Sequence, residues 1–305
     1  MTPKISVSHL IDIDPLTPAD ITTILDRAAF FKQALATKTV PQSLTGKVIL
    51  TLFAENSTRT RNSFEMAVLR LGGSLINWDE NISSAKKGES FSDTVRYLGG
   101  YQPDAIVMRH HEYNAPHFVA QLVECPVINA GDASREHPTQ ALLDAFTIRE
   151  IKGRIEGLAV AIVGDLSHSR VAGSNVALLT KMGAKIHLIG PKDLLPQQVR
   201  DGVSVFEKLE DGLKGCDVVM MLRIQKERMD LSAIPNETAY FHEYGLTLEK
   251  LAFAKPDAIV MHPGPMNRGV EIADEVADDP TRSMIFKQGA NGVPVRMAVL
   301  DLLLA

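Results

Sequence analysis

Five consecutive residues, Ser57-Thr58-Arg59-Thr60-Arg61, put three hydroxyls and two guanidiniums where a helix is about to start. An apolar run from Val48 to Phe53 precedes them and reads as a buried strand. Phe64, Ala67, Val68 and Leu71 follow at helical spacing, and Gly72-Gly73 closes the pattern. A helix N-terminus offers unpaired N–H donors and a partial positive charge, and arginine adds a bidentate fork. That combination suits a phosphate. A capped helix with solvated arginines is the plainer reading, but capping needs fewer groups than these.

Other polar side chains gather after apolar, β-rich runs, where ligands of parallel α/β sheets bind. Ser83-Ser84-Ala85-Lys86-Lys87-Gly88-Glu89 follows one run at a distance, Arg109 ends another, and Asp132, His137 and Gln140 come after a third. Further on, Gly164-Asp165 leads to Arg170, another run ends at Arg223 and Gln225, and a last one at His262-Pro263-Gly264-Pro265. Taken singly, Lys86-Lys87 reads as a solvated loop pair, and His137 before Pro138 can serve only to cap a helix. Arg170 at a helix start opposes the helix dipole, which favours a ligand role. The Pro/Gly turn at 262–265 fixes backbone, so its chemistry is limited to carbonyl groups. A site this rich in cations expects several anionic groups.

These residues need a scaffold that brings strand ends together. Short apolar runs recur at 48–53, 74–78, 105–108 and 127–129, then at 158–163, 185–189, 203–206, 218–222 and 258–261. Helical patterns separate them near 61–71, 89–100, 115–124, 172–182, 194–200 and 207–214, and residues 7 to 37 also read as helical, with Leu16-Thr17-Pro18 resembling a helix start. Strands alternating with helices, without strict period-two patterning, predict parallel sheets covered on both faces. The expected fold is α/β, with two doubly wound parallel-sheet domains and a C-terminal helix, Val293 to Leu304, crossing back to the first domain. The expected boundaries are 1–135 plus 290–305 for one domain and 136–289 for the other.

The chain has 305 residues, enough for two ordinary cores, with 45% hydrophobic and 23% charged residues. A net charge of -5 gives no sign of a nucleic-acid or membrane surface. Nothing approaches the ~18 apolar residues of a membrane span, and the N-terminus lacks the apolar core of a signal peptide. The two cysteines, Cys125 and Cys216, stand far apart without metal-ligand spacing, consistent with a reducing cytoplasm. The sequence contains no Gly-x-x-x-x-Gly-Lys-Ser/Thr loop, Gly-x-Gly-x-x-Gly turn, His-x-x-x-His pair or Gly-x-Ser-x-Gly elbow. Neither a metal nor an organic cofactor is therefore expected.

Taken together, Ser57-Thr58-Arg59-Thr60-Arg61, Lys86-Lys87-Gly88-Glu89-Ser90, His137-Pro138-Thr139-Gln140 with Leu142-Leu143-Asp144, the Arg223-x-Gln225-Lys226-Glu227-Arg228 run and His262-Pro263-Gly264-Pro265 resemble the aspartate/ornithine carbamoyltransferase family. The motifs occur in order over essentially the whole chain. The last two are similar to the aspartate branch; no Ser-Met-Gly occurs, and Gly264 stands where the ornithine branch carries cysteine. Ala133 departs from the family, in which glycine is common there. Two arginines also suit a dicarboxylate better than a cationic side chain.

The resemblance implies transfer of a carbamoyl group from carbamoyl phosphate to L-aspartate. Ser57, Thr58, Arg59 and Thr60 are then expected on the phosphate. Thr60, Arg109 and His137 are expected on the carbamoyl oxygen, and Gln140 with the Pro263 and Gly264 carbonyls on its NH2. Arg170, Arg223 and Gln225 are expected on the aspartate carboxylates, with Glu55 and Asp165 orienting arginines. It further implies a homotrimer in which Ser83 and Lys87 reach a neighbour's site, and leaves open assembly with regulatory chains or a dihydroorotase. Another amino-acid acceptor, or a non-catalytic homologue, remain alternatives that an acceptor comparison separates.

Overall fold

The computed structural model describes residues 4–78, 88–196, 198–224 and 236–304. They form two compact units. One comprises the chain up to Phe146 together with the residues from Asn291 onward, and the other spans Thr147–Ala290.

In the first unit, β1 (Val48–Phe53), β2 (Ser74–Trp78), β3 (Ala105–His110) and β4 (Val127–Asp132) make a parallel sheet in the order β2-β1-β3-β4. The inner strands are apolar on both faces because helices cover both; Leu50, Leu52, Ile106 and Met108 pack with Val95 and Val119. The helices are α1 (Pro18–Thr37), α2 (Thr58–Arg70), α3 (Phe91–Gly100), α4 (Ala115–Ala120) and α5 (Pro138–Lys152).

The helix expected over 7–37 begins only at Pro18. Thr17 and Asp20 form a reciprocal capping box there, with proline in the first turn. Ahead of it the chain is extended beside β4: Leu10 N–H donates to the Val127 carbonyl, and Asn129 N–H donates to that of Leu10, each at 2.9 Å.

The second unit carries β5 (Ala159–Val163), β6 (Lys185–Ile189), β7 (Val203–Phe206), β8 (Val218–Met221) and β9 (Ile259–Met261), all parallel, in the order β7-β6-β5-β8-β9. Its helices are α6 (Arg170–Lys181), α7 (Leu209–Leu213), α8 (Glu237–Tyr244), α9 (Leu248–Leu251), α10 (Asp274–Ala277) and α11 (Ile285–Leu304). Instead of a helix over 194–200 there is one 3-10 turn, Lys192–Leu194, and Pro196 disfavours helical backbone at Leu195, which is extended.

The C-terminal helix starts earlier than expected, at Ile285, and contains Gly289 and Gly292. From Asn291 onward it belongs to the first unit, where Val295, Met297, Val299 and Leu300 are buried. Asp301 pairs with Arg27 Nε (2.7 Å), and Asn291 accepts from Lys32 Nζ (2.7 Å), fastening α11 to α1.

Candidate active site

In the first sheet, Phe53 at the end of β1 pairs with Arg109 of β3, and the Ala54 N–H donates to the Arg109 carbonyl at 2.9 Å. The Glu55–Arg61 turn and the Arg109 side chain therefore leave from neighbouring strand ends. Glu55 Oε2 lies 3.0 Å from Arg109 Nε, an ion pair within this unit. Arg61 Nε pairs with Glu65 on its own helix, also at 3.0 Å.

The start of α2, like those of α4, α7 and α10, has no side-chain cap, although it carries a serine able to supply one. Thr17, Ser90, Ser169, Asn236 and Thr247 each accept a backbone N–H at the head of their helices. Ser57 holds the same place on α2 and makes no such bond, and the first turn carries no acidic residue. Its N–H donors and positive dipole end are thus left to an incoming anion. A cleft of about 500 Å³ opens at this turn, lined by Phe53 to Thr58 with Arg61, Asn62, Glu65 and Asn77.

At the end of β4 the chain closes a tight loop. Asp132 N–H donates to the Glu136 carbonyl (2.9 Å), while the Asp132 carboxylate accepts from Asn114 N–H (3.0 Å) and Arg135 Nε (2.7 Å). Ala133 sits at φ +42°, the left-handed region, which explains why glycine suits this position. The loop delivers His137, buried, to the head of α5, and Gln140 follows one turn on with its Nε2 donating to Asp144 Oδ1 at 2.9 Å.

In the second unit, Asp165, Arg223 and His262 follow β5, β8 and β9, three neighbouring strands. Arg170 is buried at the first position of α6, whose first turn holds no acidic residue. Asp165, expected to orient an arginine, instead accepts from the His168 N–H (3.2 Å) and lies 2.9 Å from His168 Nδ1. The His262 ring organises the Pro263-Gly264 turn. Its Nδ1 accepts from Gly264 N–H (2.8 Å), which leaves the proton on Nε2, 3.1 Å from Glu271 Oε1. The His262 N–H donates to Gln288 Oε1 at 2.8 Å, and Glu271 Oε1 also accepts from Asn267 N–H.

The structure thus brings Glu55, Ser57, Thr58, Arg59, Thr60, Arg109, His137 and Gln140 to strand ends and helix starts of one sheet. It brings Asp165, Arg170, Arg223, Pro263 and Gly264 to those of the other. Ser83, Lys87 and Gln225 lie outside the described residues. Sequence reasoning missed Glu271 and Gln288, which hold the 262–267 turn from 9 and 26 residues away. It also missed Arg296, a fully buried cation, and the pairing of Asp144 with Gln140, which the i,i+4 spacing on α5 could have shown.

Two family models cover the chain. Aspartate/ornithine carbamoyltransferase, carbamoyl-P binding domain, matches residues 8–150, and the Asp/Orn binding domain of the same family matches residues 156–303. The aspartate carbamoyltransferase catalytic subunit of Rhodospirillum rubrum is 52% identical over 303 residues, covering 99% of this chain and 95% of its own. That of Paracoccus denitrificans is 54% identical, covering 97% and 93%. Among solved structures, Trypanosoma cruzi aspartate transcarbamoylase in complex with carbamoyl phosphate and aspartate superposes with a TM-score of 0.91 at 31% identity, covering 100% of both chains. The catalytic subunit of M. Jannaschii aspartate transcarbamoylase gives 0.84 at 38%, covering 97% of this chain and 98% of that one. The chain belongs to the aspartate/ornithine carbamoyltransferase family.

Proposed function

We propose that the protein transfers the carbamoyl group of carbamoyl phosphate to the α-amine of L-aspartate, giving N-carbamoyl-L-aspartate and phosphate for pyrimidine biosynthesis. The observation that carries this reading is the head of α2, without a side-chain cap or an acidic residue in its first turn, beside a cleft lined by Ser57, Thr58 and Arg61. The names of the relatives support the choice of substrates.

In this reading the first unit binds carbamoyl phosphate and the second binds aspartate. Ser57, Thr58, Arg59 and Thr60 hold the phosphate. The amine attacks the carbonyl carbon, charge develops on the carbonyl oxygen, and Thr60, Arg109 and His137 donate hydrogen bonds to it. The C–O bond to phosphate then breaks, and the departing phosphate takes the amine proton. His137 works as an oriented donor and need not be a base. Gln140 and the Pro263 and Gly264 carbonyls take the carbamoyl NH2, while Arg170, Arg223 and Gln225 clamp the aspartate carboxylates. Much of the rate would come from positioning two anions that repel each other in water.

The assembly in this reading is a cytoplasmic homotrimer, with Ser83 and Lys87 of one subunit completing the next subunit's site. The decisive experiment gives purified protein carbamoyl phosphate with aspartate, ornithine or other amino acids. Carbamoyl-aspartate should form and carbamoyl-ornithine should not. Product with ornithine alone, or no product at all, overturns the reading. Mixing a Ser57→Ala protein with a Lys87→Ala protein checks shared sites, which should regain activity in hybrid trimers.

A further inference from the structure

Gln140 has to present one particular end of a two-ended group. A carboxamide carries an acceptor oxygen and a donor NH2, exchanged by a half-turn about the last side-chain bond. Under the proposed function Gln140 faces the carbamoyl NH2, which needs an acceptor. Nothing in the glutamine itself selects the oxygen.

Asp144 makes that selection. Its Oδ1 takes the Gln140 Nε2 at 2.9 Å, one helical turn along α5, in a buried setting. A carboxylate accepts and does not donate, so the NH2 end is drawn to Asp144 and Oε1 is turned away from it. Asp144 is 0% exposed, and a buried acid of this kind needs a cation nearby. Arg296 on α11 is that cation. It is buried, its guanidinium carbon lies 4.9 Å from the Phe64 ring centroid, and Asp144 attracts its charge. Burial pushes the Arg296 guanidinium down to about 9, and the attraction of Asp144 opposes that shift. Gly292, one turn earlier on α11, keeps the space open, because a Cβ there would overlap Arg296 Nη1. Gln140, Asp144, Phe64 and Arg296 all belong to the first unit.

We infer that Asp144 and Arg296 are positioning residues that lock the Gln140 amide with its oxygen toward the ligand, so that the site reads an NH2 on the acyl carbon of its acyl phosphate. The inference rests on the proposed function. It makes the buried pair a specificity device rather than a stability element alone.

Asp144→Asn tests it. The Asn oxygen is drawn to Arg296, which leaves the Asn NH2 facing Gln140 and turns the glutamine amide over. Calorimetry on the purified enzyme would compare carbamoyl phosphate, acetyl phosphate (a methyl in place of NH2) and inorganic phosphate. Loss of one good hydrogen bond should weaken carbamoyl phosphate about tenfold. Acetyl phosphate and inorganic phosphate should stay within twofold, so the carbamoyl-to-acetyl preference falls. Parallel weakening of all three ligands, or an unchanged preference, overturns the inference. Should Asp144→Asn not fold, the double variant Asp144→Leu with Arg296→Met removes both buried charges and the acceptor that holds Gln140 Nε2, so the carbamoyl-to-acetyl preference should again fall. Arg296→Lys, which keeps the charge, should retain part of the preference. Wild-type protein that forms no carbamoyl-aspartate would refute the functional reading instead, a result separate from any of these ratios.

Discussion

Gly164→Ala is the sharpest perturbation of the second unit. Gly164 ends β5 at φ +132°, a conformation that L side chains rarely adopt. A Cβ there would lie 2.9 Å from the Leu222 carbonyl oxygen and 3.2 Å from Leu222 Cβ. Retreat in the other direction is blocked. The Gly164 N–H is committed to the Ile189 carbonyl at 2.9 Å, and Gly190 is packed so closely on the Gly164 carbonyl that its own Cβ would come within 2.6 Å. Alanine therefore has to force the ends of β5 and β8 apart. Backbone strain of about 1–3 kcal/mol adds to overpacking of about 1–3 kcal/mol. The sum is a large share of the ~5–15 kcal/mol that stabilises a typical fold.

The displacement also reaches the site. Leu222 directly precedes Arg223, and Gly164 directly precedes Asp165 on the way to Arg170. Both arginines proposed for aspartate should move relative to each other, and a shift approaching 1 Å can cost about 100-fold in rate. Urea unfolding with steady-state kinetics is the assay. The midpoint should fall and KM for aspartate should rise about tenfold or more, with carbamoyl phosphate affinity unchanged. An unaltered midpoint with aspartate KM within twofold of wild type would refute the steric reasoning.

In the first unit, Glu55→Gln should loosen Arg109 without removing it. We expect kcat to drop about tenfold, from the loss of roughly 1.5 kcal/mol of partly buried ion pairing; a change below twofold would show that Arg109 is held by other contacts. Asp20→Asn should destabilise by about 1 kcal/mol near neutral pH through the α1 cap. Burial would raise the Asp20 carboxyl, but hydrogen bonds from the Ser6 and Thr17 hydroxyls and N–H groups outweigh it and hold it down at about 2, against 3.8. Because the folded value is depressed, the stabilisation is complete above pH 3.8 and disappears as pH falls through about 2. Acid unfolding curves of variant and wild type should converge in that window, and a constant gap down to pH 2 would contradict the assignment.

The strands were legible because parallel strands covered on both faces are unbroken apolar runs; Val48–Phe53 and Val127–Asn129 announce themselves. The helices were less so. Residues 7–17 contain Leu10, Ile11 and Ile13 at spacings a helix would share, yet Leu10 serves β4 as an extended neighbour. The short helices α8, α9 and α10 have too few turns to show a period. At the site, Ser57-Thr58-Arg59-Thr60-Arg61 stood out because its chemistry exceeds structural need next to a strand end. Glu271, Gln288 and Arg296 did not, since a buried partner supplied from a distant segment leaves no local pattern. The expectation that Asp165 orients an arginine overlooked His168, three residues away, which the loop folds back onto it.

The passage of α11 into the first unit bears on how the protein is made. The first unit is closed by residues from Asn291 onward, among them Met297, Val299 and Leu300. Its four strands leave the ribosome early, but the segment that completes its core is synthesised only after the whole second unit. The second unit, whose residues are contiguous from Thr147 to Ala290, can finish first. Until then Phe64 lacks Arg296 over its ring, and Arg27 lacks Asp301. A nascent chain therefore carries an incomplete first unit until the second has been made, and its exposed core is the part a chaperone would have reason to cover.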